Sequence, residues 1–317
     1  MIVPVTDYTF PNLDPEAKAL KTVGASIKGF QSKTEEEVIA NIGGSKVVIV
    51  QFAPITKKVL ESLAENATVI RYGVGVDNID LQAAKELGIK VAYVPDYCMD
   101  EVANHTVAML LSLMRALPIL DKGVRNNRWD GIAMAKQLVP LKDAQIGLIG
   151  LGRIGSEVVK RLKVFGSTIN VYDPLLSQAK AAEIGVKLVS LEELFSSSDA
   201  ISLHSPLNEQ TKHIIDAESL VKMKPNAVIV NAARGGLIDT EALINALKSN
   251  TIRAAALDVF EQEPLADDSE LKNMDKVLLS PHLAWYSDSA IERLQRLAGE
   301  EAARAVADKP LRCPYPL

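Results

Sequence analysis

Short apolar runs alternate along this chain with segments whose apolar positions recur at helical spacing. Runs at residues 2–5, 46–50, 68–72 and 90–94 predict buried strands. Residues 15–20, 34–42, 59–64 and 81–87 predict the intervening helices, and Glu35, Glu36 and Glu37 sit where a helix dipole favours acid. The alternation resumes later. Strands are predicted at 146–149, 168–172, 200–204, 227–230, 253–257 and 276–279. Helices are predicted at 191–195, 216–223, 241–247 and 289–307, the first opened by a Ser190/Glu193 capping box. Between the two series lies a helix from Glu101, capped by Asp100 and ending near Pro118, followed by a connector of little periodicity over 126–141. Strands alternating with helices imply parallel sheets covered on both faces. The expected fold is therefore α/β, with two doubly wound parallel-sheet lobes and a cleft between them.

Composition narrows the function classes without naming one. The 317 residues are 48% hydrophobic and 24% charged, enough for ordinary cores. A net charge of −5 with no basic block argues against a nucleic-acid partner. The most apolar helix, 102–120, is interrupted by Asn104, His105, Ser112 and Arg115, so it is a buried helix and no membrane association is expected. Cys98 and Cys313 do not make a disulfide framework. With an N-terminus unlike a signal peptide, the expected location is cytoplasmic. No metal site is expected.

One stretch carries specific chemistry. The apolar run 146–149 enters Gly150-x-Gly152-x-x-Gly155, and Ile154, Val158, Val159, Leu162 and Phe165 then follow at helical spacing until Gly166. Gly150 permits a tight turn, Gly152 lets a pyrophosphate approach the backbone, and Gly155 lets helix and strand pack closely. A helix N-terminus offers unpaired N–H groups to phosphate. Asp173 ends the next strand, where a carboxylate accepts hydrogen bonds from a ribose and repels an extra phosphate. The pattern predicts a Rossmann dinucleotide site and NAD as the cofactor. The bland alternative is a tight turn with a solvated aspartate. A second glycine turn, Gly73-Val74-Gly75, follows the strand at 68–72. Its N–H groups suit an anion such as a carboxylate, and a plain turn fits it equally well.

Polar residues stand at several strand ends of the second series: His204, Arg234, Asp258 with Glu263, and His282. Reduction of a 2-keto acid by a nicotinamide needs a cation for the carboxylate, a proton donor and a group that orients the donor. Arginine suits the first task through its planar fork. Histidine suits the second, and a carboxylate beside an imidazole favours its charged form. His204 and His282 compete for the donor role, and residue chemistry alone leaves both open.

Four motifs together resemble a known family. They are Gly150-Leu151-Gly152-Arg153-Ile154-Gly155, Asn231-Ala232-Ala233-Arg234-Gly235-Gly236-Leu237-Ile238-Asp239, Ala256-Leu257-Asp258-Val259-Phe260-Glu261-Gln262-Glu263-Pro264 and Ser280-Pro281-His282. In order and spacing they resemble the D-isomer-specific 2-hydroxyacid dehydrogenases. That resemblance implies His282 as acid/base, Glu263 as its partner and Arg234 as substrate clamp. It implies Gly73, Val74 and Gly75 as a carboxylate-binding turn. Cofactor contacts would come from Thr106, Gly150, Gly152, Arg153, Ile154, Gly155, Asp173, His204, Ser205, Pro206, Ala232, Ala233, Arg234, Asp258 and His282. It also implies a discontinuous substrate-binding lobe, 1–100 plus 284–317, around a cofactor lobe at 101–283. A homodimer would form through the cofactor lobe's long helix and the 126–141 arm.

The stretches 94–103 and 282–287 resemble the C-terminal-binding-protein branch, where the tryptophan matching Trp285 faces the substrate pocket. A core tryptophan is the plainer reading. Neither the long tails of that branch's animal co-repressors nor a C-terminal regulatory domain is expected. The implied activity is NAD-dependent interconversion of a D-2-hydroxy acid and its 2-keto acid. Two rivals remain. One is D-3-phosphoglycerate dehydrogenase, with Arg71 and Lys57 as the available cations for a phosphate. The other is an NAD(H)-sensing, co-repressor-like protein with vestigial chemistry.

Overall fold

The computed structural model describes residues 1–317, which divide into two compact units. One comprises Met1–Cys98 with Tyr286–Leu317, and the other Met99–Trp285.

The first unit is a five-stranded parallel sheet of β1 (Ile2–Val5), β2 (Ser26–Gly29), β3 (Val47–Val50), β4 (Thr68–Arg71) and β5 (Lys90–Tyr93), in the order β2-β1-β3-β4-β5. Strand β3, near the centre, is buried at every position, as a strand covered by helices on both faces must be. Strand β2 was not expected from the sequence. It is an edge strand of alternating exposure, so Ser26 and Lys28 break the apolar run that marks its neighbours. The opposite edge, β5, is covered by the chain's own tail. Tyr93 N–H donates to Cys313 O (3.2 Å) and Tyr315 N–H donates to Val91 O (2.8 Å). The tail is held by Glu301, a buried carboxylate that accepts the Arg312 and Cys313 N–H groups, each at 2.9 Å.

The second unit is a seven-stranded parallel sheet. Its strands are β6 (Gln145–Ile149), β7 (Thr168–Tyr172), β8 (Lys187–Leu188), β9 (Ala200–Leu203), β10 (Val228–Asn231), β11 (Ala254–Leu257) and β12 (Val277–Leu279). They lie in the order β12-β11-β10-β9-β6-β7-β8, so strand order reverses between β6 and β9. A doubly wound sheet opens a crevice at such a reversal, outside the carboxyl ends of the strands. The two faces bury separate apolar cores, one led by Ile146, Leu148, Val158 and Leu162, the other by Ile149, Ile201, Leu203 and Ile229.

Four local expectations differ from the structure. The long helix does not run from Glu101 to Pro118. It spans Met99–Met114, Ala116 turns left-handed (φ 55°), and Pro118 opens a new helix, Leu117–Arg125. Proline lacks an N–H that the first turn would leave unpaired anyway, so it starts a helix as readily as it stops one. Asp100 consequently lies inside the first turn, bonded to Asn104 and Arg161, and is not a cap. The 126–141 connector also contains a short helix, Gly131–Ala135. Ser190 does cap Leu191–Ser197, accepting the Glu193 N–H at 3.1 Å, but the reciprocal side-chain bond of a full capping box is missing. No helix is long and apolar enough to cross a membrane.

Candidate active site

The glycine turn follows β6 at the strand-order reversal. Gly150 has φ 93°, and a Cβ there would lie 2.9 Å from the backbone of His204, the residue after β9. A Cβ on Gly155 would lie 2.7 Å from the Gly150 carbonyl. Both positions therefore need glycine for close approach. Gly152 is different, because a Cβ there meets nothing within 4 Å. The helix that begins beside it, Arg153–Lys163, has no side-chain cap, whereas side-chain oxygens cap the helices at Gln178, Leu191, Ala217 and Thr240. Its first N–H groups are thus left for an external acceptor, which suits a phosphate over open space.

Asp173 closes the turn from the next strand. Its carboxylate accepts the Leu151 and Leu175 N–H groups, both at 2.8 Å. Each oxygen keeps lone-pair capacity for a ribose hydroxyl. Two further hydroxyls are buried without a hydrogen-bond partner, Thr106 Oγ1 and Ser205 Oγ. An unpaired buried polar atom is costly unless something supplies a partner. An uncapped helix start, open space at Gly152 and two orphaned hydroxyls together fit a polar ligand of dinucleotide type. Arg153 and Ile154 open the helix itself, and Pro206 continues the turn after Ser205.

His204 lies beside that turn. Its Nε2 shares a 2.9 Å hydrogen bond with Ser202 Oγ, and burial lowers its pKa to about 4. The ring is therefore neutral at pH 7 and unsuited to donate a proton there.

The remaining polar residues converge beyond β10, β11 and β12. Asn231, fully buried at the end of β10, donates through Nδ2 to Arg234 O (2.8 Å) and accepts the Ala233 N–H (3.0 Å). It thus shapes the Ala232–Ala233–Arg234 turn. Arg234 folds back to donate through Nη1 to Ala233 O at 2.6 Å. A Cβ on the next residue, Gly235, would overlap the Phe260 carbonyl carbon. Only glycine therefore lets the arginine turn pack against the 258–263 loop. Asn231 and Gly235 both lie in the 231–239 motif, but neither has a role of its own in the sequence reading. A polar residue ending a wholly buried strand was the available signal for the first, and none exists for the second.

Glu263 sits on that loop. Its Oε1 accepts the Phe260 N–H (2.9 Å) and its Oε2 meets His282 Nδ1 (2.6 Å). Burial alone would raise the glutamate's pKa. The hydrogen bonds from His282 and the Phe260 N–H outweigh it, helped by the charges of His282 and Arg234, and the pKa is lowered. An ionised carboxylate only accepts, so Nδ1 carries a proton and Nε2 is the ring atom left for chemistry.

Asp258 organises the turn bearing His282. It is 1% exposed, and its carboxylate accepts Ser280 Oγ–H (2.5 Å) and the N–H groups of Leu283 and Ala284 (2.9 Å each). Its backbone carbonyl accepts the His282 N–H at 2.7 Å. Trp285 donates from Nε1 to the His282 carbonyl at 2.9 Å. His282 itself adopts φ 53°, an uncommon conformation for a non-glycine residue that its surroundings must enforce.

Gly73, Val74 and Gly75 belong to the first unit, after β4. Gly73 has φ 120°, and a Cβ there would overlap the Arg71 guanidinium, so that cation is folded against the turn. Lys57 instead lies 3.6 Å from Glu86 on an exposed surface. No group of residues suited to a metal ion is present.

Comparison with known proteins agrees with this geometry. Residues 107–284 match the model of the D-isomer specific 2-hydroxyacid dehydrogenase NAD binding domain. A D-3-phosphoglycerate dehydrogenase of Methanocaldococcus jannaschii is 40% identical over 300 residues, 94% of this chain and 56% of that protein. The chain spans about half the length of the curated relatives it matches. Among solved structures, D-lactate dehydrogenase of Aquifex aeolicus, complexed with NAD and lactic acid, is 29% identical with a TM-score of 0.86 over 96% of both chains. A glyoxylate reductase of Paecilomyes thermophila is 26% identical with a TM-score of 0.87, covering 100% of this chain and 98% of its own.

Proposed function

We propose, from the premise that the chain belongs to the D-isomer specific 2-hydroxyacid dehydrogenase family, that it is an NAD-dependent oxidoreductase interconverting a D-2-hydroxy acid and its 2-keto acid. The observation that carries this reading is the 2.6 Å bond between His282 Nδ1 and Glu263 Oε2, which frees Nε2 for proton transfer. When bound, NADH supplies the hydride that reaches the carbonyl carbon. Arg234 holds the substrate carboxylate through its planar fork. His282 gives the Nε2 proton to the carbonyl oxygen as that oxygen gains charge, and Glu263 holds the ring while it does so. With 34% of its side chain accessible, His282 regains its proton from solvent. In oxidation the same nitrogen accepts the hydroxyl proton.

The Met99–Trp285 unit takes the dinucleotide role and the first unit the substrate-binding role. Gly73, Val74 and Gly75 are assigned as a second carboxylate-binding element. Asp173 supports NAD over NADP, because a 2′-phosphate would face a carboxylate.

D-3-phosphoglycerate dehydrogenase is the second reading. Relatives of that name and the Arg71 guanidinium against Gly73 favour it, since a phosphorylated acid needs an additional cation. Within the family, Trp285 directly after His282-Leu283-Ala284 supports placement near the C-terminal-binding-protein branch and a role lining the substrate pocket. A homodimer is part of the proposal, supported by Leu117, Val124, Trp129 and Ile132, which expose apolar surface around the 126–141 arm. Light scattering of a Trp129→Asp/Ile132→Asp variant tests it, and an unchanged dimer mass would remove the arm from the interface. A chain with only two cysteines, too few for a disulfide framework, supports a cytoplasmic location.

A steady-state assay of NADH oxidation against a panel of 2-keto acids, 3-phosphohydroxypyruvate included, tests the activity. Turnover with at least one acid is expected. Tight NADH binding with no turnover on any of them would leave the sensing protein as the better reading.

A further inference from the structure

His105 takes no part in the chemistry above, yet it reaches the turn that carries His282. It projects from the Met99–Met114 helix, and its Nε2 lies 3.1 Å from Ser280 Oγ and 3.7 Å from Asp258 Oδ1. The serine hydroxyl has one proton, and at 2.5 Å that proton goes to Asp258, a carboxylate bonded as an acceptor on both oxygens. Toward His105 the hydroxyl oxygen can only accept. The proton between them therefore sits on His105 Nε2, and the direction of the chain is fixed: His105 donates to Ser280, and Ser280 to Asp258.

Asp258 is where this chain meets the machinery. The same carboxylate holds the N–H groups of Leu283 and Ala284, and the Asp258 carbonyl holds the N–H of His282. His282 keeps a left-handed backbone only while these bonds over-determine it. A Ser280 hydroxyl released from His105 is free to rotate, and Asp258 Oδ1 then loses its shortest donor.

We propose that His105 is a positioning residue for the turn that presents His282, acting through the Ser280 hydroxyl and the Asp258 carboxylate. The role rests on the reading of His282 as the proton donor, and the test keeps the two separable. A histidine that merely fills space on its helix would make no difference to the His282 ring. A histidine that sets the turn must alter both the ring's surroundings and the rate of the step the ring performs.

The protein has four histidines, so their ring C–H signals can be assigned by NMR through single substitutions. His105→Ala, His105→Gln and Ser280→Ala would be compared, together with the His105→Ala/Ser280→Ala double variant. A small displacement of a catalytic group is costly, so His105→Ala is expected to lower kcat about tenfold with NADH affinity changed by no more than about twofold. The His282 signal should move in the same variant. His105→Gln, whose amide N–H can donate to Ser280, should restore both readouts. The double variant should be no slower than the worse single, because the two residues form one chain. An unmoved His282 signal in His105→Ala, failure of His105→Gln to recover it, or losses that multiply in the double variant would each overturn the proposal. Absence of turnover in the wild-type protein would count against the assigned activity alone, because the His282 signal still decides the role of His105.

Discussion

His204 and His282 stand just beyond the carboxyl ends of parallel strands in one sheet, and their surroundings alone set them apart. His204 follows β9, shares its Nε2 with the neutral Ser202 hydroxyl, and is driven to a pKa of about 4 by burial. His282 follows β12, binds the Glu263 carboxylate through Nδ1 and keeps about a third of its side chain accessible. The first is a neutral wall at working pH, placed against the glycine turn. The second has a charged partner on one nitrogen and a free edge on the other. Desolvation and a neighbouring carboxylate, not residue type or strand-end position, distinguish the two rings.

Substituting His282 by Gln tests the comparison hardest. Turnover with the best 2-keto acid should fall by roughly 10²–10⁴-fold, the usual share of a general acid. NADH binding, followed by fluorescence, should persist, and a comparable loss of cofactor affinity would move His282 from chemistry to cofactor support.

The next effect lies in stability and belongs to His204. The unfolded chain protonates this ring near 6.5 and the folded chain only near 4. Between those values the unfolded state binds more protons, so stability is lost as pH falls through that window, by roughly 3 kcal/mol across it. Glu263 adds loss of the same sign, because its lowered pKa contributes stability that disappears as pH drops through it. Urea unfolding of wild type and His204→Asn at pH 7 and pH 5 isolates the histidine, since Glu263 is common to both. The wild type should lose more, and equal losses would mean that His204 titrates normally in the folded protein.

Smaller still is the effect of Glu263→Gln. The amide keeps the shape but not the charge beside His282, so kcat should fall by roughly tenfold to a hundredfold. Turnover within a few-fold of wild type would reduce Glu263 to a steric support.

Much of this was legible in the chain before any coordinates. The glycine turn, its helix and Asp173 are local in sequence, because strand, turn and helix each leave a periodicity. The doubly wound architecture follows from alternation alone. His282 could not be chosen over His204 by residue chemistry, since burial and the distance to Glu263 are tertiary facts. Asp258 was picked out as a cofactor contact, yet its grip on 280–284 spans more than twenty residues and leaves no local mark. The same holds for Gly235, whose reason is the Phe260 backbone. Strands β2 and β8 escaped for another reason. An edge strand has one neighbour and needs no continuous apolar run, so Ser26-Ile27-Lys28-Gly29 reads as loop. Pro118 misled because proline is compatible with either end of a helix.

The first unit draws its residues from both ends of the chain, with the 19-residue helix Asp288–Val306 packing on the Asp14–Lys21 helix and the tail completing the edge of β5. Gly299 allows that packing, because a Cβ there would lie 2.7 Å from Glu16 Cα. The second unit is contiguous in sequence, whereas the first has all five strands by Tyr93 but gains its closing helix only from Asp288 onward. A released chain truncated after Trp285 should accordingly resist protease over 99–285 and be cut within 1–98.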